Sequence, residues 1–218
     1  MSSDSHEVSI GSADIRAADA SDWQNRPPYR TDGSFEKHHT AHCHCGRVTY
    51  WLSRDRPLAA KFCHCVDCQA LHGTLPPSPF PLPSQLPCAP FQWAAIFHKS
   101  DVHFAPGAAA RLAFYHAPGK SAEHRLPAKV SCAHCGAPIM DEGRNMALVF
   151  PGIIRFGSAE GRRLFDPQCH IFYSQRVVDL PDGKPKWSGL DNKSRLMTDE
   201  EAHEVQTVVS EGKAEATE

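Results

Sequence analysis

The chain has 218 residues, of which 41% are hydrophobic, 22% charged and 9% aromatic; this suits one folded domain of ordinary size with extra length at its ends, and excludes a fibre or a coiled coil. The formal charge of -2 excludes a global positive field of the kind that holds a polyanion, so no direct nucleic-acid binding is expected. The longest uncharged stretch, residues 69–98, carries seven prolines, which excludes a membrane-spanning helix there, and no membrane partner is expected.

In chain order, residues 1–37 are rich in Ser, Asp and Ala, contain Pro27-Pro28 and show no sustained apolar period. They are predicted to form a disordered tail, with Trp23 and Tyr29 pinned to the domain. The first residues lack a basic stretch followed by an apolar core, so no secretory signal is expected, and a reducing cytoplasmic or nuclear compartment is the default. Residues 38–195 are predicted to form the folded domain. Short runs rich in β-branched and aromatic residues predict strands at 48–51, 91–97, 102–104, 111–115, 147–150, 153–156 and 170–178, separated by turn signals such as Pro106-Gly107, Pro118-Gly119 and Pro181-Asp182-Gly183. The fold class is therefore all-β, with antiparallel sheets and at most one short helix near residues 66–71. Residues 74–88, TLPPSPFPLPSQLPC, are too Pro-rich for a central strand and read as a surface excursion. Residues 196–218 read as an acidic, solvated tail.

Nine cysteines in a reduced compartment point to metal more than to disulfides when they cluster at short spacing. Three clusters do so: Cys43-His44-Cys45-Gly46, Cys63-His64-Cys65-Val66-Asp67-Cys68 and Cys132-Ala133-His134-Cys135-Gly136. Thiolates one or two residues apart can turn toward one Zn²⁺ at about 2.3 Å. A glycine after the second ligand lets the backbone adopt positive φ and aim N–H groups at the sulfurs. Cys45-Gly46 and Cys135-Gly136 share that feature, so Cys43, Cys45, Cys132 and Cys135 read as one structural four-thiolate site. Cys63, Cys65 and Cys68 remain, and three thiolates suit a catalytic zinc with an open position. The alternatives at this stage are closure of that site by His64, His72 or Cys88, another pairing of the clusters, or an iron–sulfur centre. Cys88 and Cys169 otherwise read as small buried hydrophobes.

Of 14 histidines, His6, His38, His39, His116, His124 and His203 read as surface or hydrogen-bonded core residues. There is no phosphate loop, no G-x-S-x-G elbow and no H-E-x-x-H motif.

At the three clusters, in Leu71-His72-Gly73, in residues 91–97, in His170-Ile171-Phe172-Tyr173 and at Trp187, the sequence resembles the glutathione-dependent formaldehyde-activating enzyme family, which shares its domain with centromere protein V. The resemblance covers about residues 38–195. It implies a zinc-stabilised, tent-like all-β fold with two zinc ions. One, structural, is on Cys43, Cys45, Cys132 and Cys135; the other, catalytic, is on Cys63, Cys65 and Cys68. It also implies a carbon–sulfur lyase that joins glutathione to formaldehyde. The chain departs from the family where it inserts residues 74–88, which reads as either a lid or a gene-model artefact.

For the donor or proton shuttle the candidates are His64, His72 and His170. Arg47 and Lys99 are candidates for glutathione's carboxylates, against a plainer reading as solvated surface charges. Two rival functions stand beside the lyase: a non-catalytic two-zinc module that binds protein partners, and a related lyase acting on another carbonyl or thiol substrate.

Overall fold

A computed structural model describes residues 23–30, 34–72 and 90–198. The Pro-rich segment at 74–88, with Cys88, and most of both expected tails lie outside the described residues. The elements in order are β1 (His39–His42), β2 (Thr49–Leu52), β3 (Ala59–Cys63), α1 (Val66–Leu71), β4 (Gln92–His98), β5 (Val102–Phe104), β6 (Leu112–Tyr115), β7 (Ala128–Cys132), β8 (Pro138–Glu142), β9 (Met146–Val149), β10 (Ile154–Arg155), α2 (Ala159–Arg163), β11 (Cys169–Ile171), β12 (Lys186–Trp187) and β13 (Leu196–Met197). The fold is thus all-β with two short α-helices, one of them where the sequence places it. Elements also lie outside both expected domain boundaries: a 3₁₀ turn at Trp23–Asn25 and the strand β13.

The chain falls into two compact units. The first takes residues up to Arg54, His98–Ala147 and Ile153–Arg155. It contains a four-stranded sheet in the order β10-β1-β2-β5 and the antiparallel run β8-β7-β6. Alternation sets the buried faces: Tyr50 and Leu52 of β2 are fully buried while Thr49 and Trp51 are half-buried. The β7–β8 ladder shifts register between Val130 and Ser131, and Pro138 stands at the first position of β8, where a strand tolerates proline.

Within this unit lies a buried carboxylate. Glu142, only 2% exposed, accepts from Tyr29 Oη at 2.6 Å, His124 Nε2 at 2.8 Å and Lys99 Nζ at 2.7 Å. Trp23 stacks on His124 with centroids 4.7 Å apart, and Tyr29 packs on Phe104 at 5.3 Å. The two aromatic residues expected to be pinned are therefore attached through one ionic hub.

The second unit takes Asp55–Phe97, Leu148–Gly152 and the chain from Phe156 onward, with strands in the order β13-β12-β11-β3-β4. Most strand pairs of the chain are antiparallel as expected, and this sheet is mixed at one strand: β11 runs parallel to both β3 and β12. The β3–β11 connection spans about a hundred residues, long enough for the crossover that parallel pairing requires. The strand expected over 170–178 also ends early. Phe172 adopts a left-handed conformation, φ 54, and a 3₁₀ turn follows at Tyr173–Gln175, where the Tyr173 hydroxyl accepts from the Leu180 N–H at 2.8 Å. Of the residues past β11 in that run, Tyr173 alone is buried.

Burial acts to raise the Glu142 pKa, but its bonds to His124, Lys99 and Tyr29 outweigh this and hold it below the ordinary 4.5. A depressed carboxyl value contributes stability above the unfolded pKa and loses it as pH falls through the folded one. Unfolding followed against pH should therefore show a loss below 4.5 that is flatter in Glu142→Gln. Tyr29→Phe, which deletes one bond to a charged acceptor, should cost about 1.5–3 kcal/mol in denaturant titration.

Candidate metal centres

The first unit brings Cys43, Cys45, Cys132 and Cys135 together, their sulfurs all within 4.8 Å of one another. Two hairpin turns of the same design supply them. Cys43 follows β1, and its N–H bonds Val48 O at 3.0 Å while Gly46 N–H returns to Cys43 O at 3.0 Å. Cys132 ends β7, its N–H bonds Ala137 O at 2.9 Å, and Gly136 N–H returns to Cys132 O at 2.9 Å. The glycines sit at φ +75 and +70, the region that a Cβ disfavours.

The sulfurs stand 3.5 Å apart for Cys43–Cys45 and 3.9 Å for Cys45–Cys132. A tetrahedron of Zn–S bonds of about 2.3 Å has edges of about 3.8 Å, so the donor set fits zinc. Backbone N–H groups face the sulfurs: Val48 N–H reaches Cys43 Sγ at 3.3 Å, and those of Ala137, first, and Cys45 pull the Cys135 thiol down to about 6. Arg47 lies at the rim with its guanidinium 3.0 Å from His134 Nδ1.

The second unit gathers Cys63, Cys65 and Cys68 by a different route. Cys63 ends β3, Cys65 caps α1 and accepts from Cys68 N–H at 3.4 Å, and Cys68 lies one turn along the helix. Cys63 and Cys65 sulfurs are 3.5 Å apart, again a tetrahedral edge. Hydrogen bonding to the Cys65 sulfur is the main reason that the Cys63 thiol is pushed up to about 12. Sulfurs this close resist ionising together unless a cation lies among them. Among the described residues no fourth donor joins all three; of these cysteines, Cys68 is the one with a His72 ring nitrogen within 4.8 Å.

The three candidate histidines take distinct positions. His72 closes α1, with its N–H on Cys68 O at 3.1 Å and its ring 4.8 Å from that of Phe150. His64 and His170 are fully buried, packed on Phe91, Phe62 and Tyr173, and joined Nε2 to Nδ1 at 2.9 Å. Burial, with the neighbouring His170 next, lowers the His64 pKa to about 3, and burial lowers that of His170 against the pull of Asp182. Lys99, a candidate for substrate carboxylates, instead matches the charge of Glu142. Cys169 is buried in β11, as expected of a lone cysteine.

The segment around β11 fastens the three-cysteine loop. His64 N–H bonds Ile171 O at 3.0 Å, Val66 N–H bonds Gln175 Oε1 at 3.0 Å, and Gln69 Nε2 bridges His64 O at 2.5 Å and Gln175 O at 2.8 Å. Sequence reasoning missed Gln69, Gln175 and Asp182. Asp182 read only as a turn residue, yet its carboxylate lies 3.1 Å from His170 Nε2.

Residues 38–175 match the family described as glutathione-dependent formaldehyde-activating enzyme, and the chain belongs to that family. No curated protein matches the chain. Family membership carries a glutathione-related, formaldehyde-activating character of the lyase kind, and both cysteine groups are compatible with zinc. No helix among the described residues is long and apolar enough to cross a membrane.

A Cβ built on Gly136 would meet no atom within 4 Å, so Gly136→Ala isolates the backbone cost of positive φ. Thermal unfolding of the zinc-loaded protein should show a loss of about 1–2 kcal/mol.

Proposed function

We propose that this protein is a zinc-dependent carbon–sulfur lyase that adds the glutathione thiol to formaldehyde, giving S-(hydroxymethyl)glutathione. The observation that supports this most is the unequal division of sulfurs, four in one group and three in the other. Four thiolates saturate zinc and suit a brace, whereas three leave room for a substrate sulfur.

Zinc held by Cys63, Cys65 and Cys68 would keep the glutathione sulfur as a thiolate at neutral pH, where a free thiol with a pKa near 8.5 is mostly protonated. In the reaction the sulfur forms a bond to the aldehyde carbon, the C=O π bond opens onto oxygen, and the proton lost by the thiol ends on that oxygen. His72, whose ring nitrogen lies within 4.8 Å of Cys68, is the proposed carrier of this proton from sulfur to oxygen. His64 and His170 are proposed to serve the same step through placement, since neither ring is exposed. Formaldehyde is small and already electrophilic, so holding it beside the thiolate is most of the catalytic task.

The test combines zinc analysis with exchange spectroscopy of S-(hydroxymethyl)glutathione formation. The expected result is two zinc ions per chain and a rate above the spontaneous one. Two ions with no added rate would turn the reading to a non-catalytic zinc module, and a rate with other carbonyls or thiols alone would turn it to a related lyase. Cys65→Ser should lower the rate at least a hundredfold in a folded protein. Cys135→Ser should unfold the chain, since structural zinc supplies about 10–16 kcal/mol of apparent binding free energy; equal unfolding of both variants would sink the division of roles.

A further inference from the structure

His64 stands between two of the sulfurs in the chain, so whatever fixes its ring also fixes the main chain that joins Cys63 to Cys65. Its ring is fully buried, and among the described residues its polar side-chain contact is the 2.9 Å approach of Nε2 to His170 Nδ1. His170 in turn places Nε2 at 3.2 Å and 3.1 Å from the two oxygens of Asp182. Asp182 is surrounded by groups that favour its ionised form: the Lys184 N–H at 3.1 Å, Lys184 Nζ at 3.5 Å and Lys186 Nζ at 3.6 Å.

An ionised carboxylate only accepts hydrogen bonds, so the atom of His170 facing it carries a proton. A neutral imidazole has one N–H, which leaves His170 Nδ1 as an acceptor and requires His64 to donate from Nε2. One carboxylate thereby selects the tautomer and the ring orientation of two histidines in series. The other hydrogen bonds of the loop, from Ile171, Gln69 and Gln175, hold main-chain atoms; Phe91 and Tyr173 pack against the imidazole ring, and its polar edge is left to this relay.

We propose that Asp182 is a positioning residue of the Cys63–Cys65–Cys68 centre, locking the Nε2–H tautomers of His170 and His64 and, through them, the direction of the Cys63 and Cys65 sulfurs. Asp182 lies beyond the matched residues 38–175. The proposal rests on the reading that these three cysteines hold a metal; it does not depend on the reaction performed there.

The test uses the full chain loaded with zinc. Long-range ¹H–¹⁵N correlation should find the ring proton on Nε2 of both His64 and His170. Chelator competition should show Asp182→Ala losing one of two zinc ions with an affinity lowered about tenfold to a hundredfold, the range for groups that orient a metal site from outside its ligands. The other zinc should be unchanged. Asp182→Asn keeps an accepting oxygen and should retain the wild-type tautomers and most of the affinity. A wild-type spectrum with Nδ1 protonated in either ring overturns the proposal without any variant, as does Asp182→Ala holding both zinc ions as tightly as wild type. Uptake of a single zinc by the wild-type chain would overturn the metal reading of the three cysteines, and the spectrum would still decide the relay by itself.

Discussion

Two hairpin turns, one after β1 and one after β7, place four sulfurs within 4.8 Å of one another. Sulfurs so close are a liability without a cation, because ionising one raises the cost of ionising the next. With a cation they become the strongest single tie available to a unit built from strands of two to five residues. The turns repeat one another down to a positive-φ glycine that returns its N–H to the first cysteine's carbonyl. Backbone geometry thus turns the donors toward one another, and the short strands of the first unit gain from that tie in keeping register.

The other sulfur group is assembled on different terms. A strand end, a helix cap and a helix interior supply its three donors, and side chains and carbonyls from the β11 region hold the loop in place. Three donors fix less of a loop's geometry than four do, so more of the order has to come from neighbours. The buried pair His64–His170 and the amide of Gln69 supply it here.

Both cysteine groups were legible because thiols at such close spacing commonly hold metal, and in the four-cysteine group glycine after the second sulfur of each pair adds a local signature. The short helix at Val66–Leu71 was legible for the same local reason. Strands β1, β3, β7 and β8 were not anticipated: His39-Thr40-Ala41-His42 has a single apolar residue, and Ala128-Lys129-Val130-Ser131 alternates, but over only four residues and without an aromatic, so both form by pairing with neighbours. The parallel β11 was beyond reach because its partners lie far away in sequence. The same holds for the groups around Glu142 and for Asp182: each is an ordinary charged residue until long-range packing gives it partners.

The two sulfur groups also differ in how far apart along the polypeptide their members lie. Cys63, Cys65 and Cys68 are all within six positions, so they leave the ribosome almost together. Cys45 and Cys132 are separated by 87 positions. A nascent chain therefore displays a complete three-thiol group while the four-thiol group is still half made, and its first two thiols stay uncovered until the later hairpin has been synthesised.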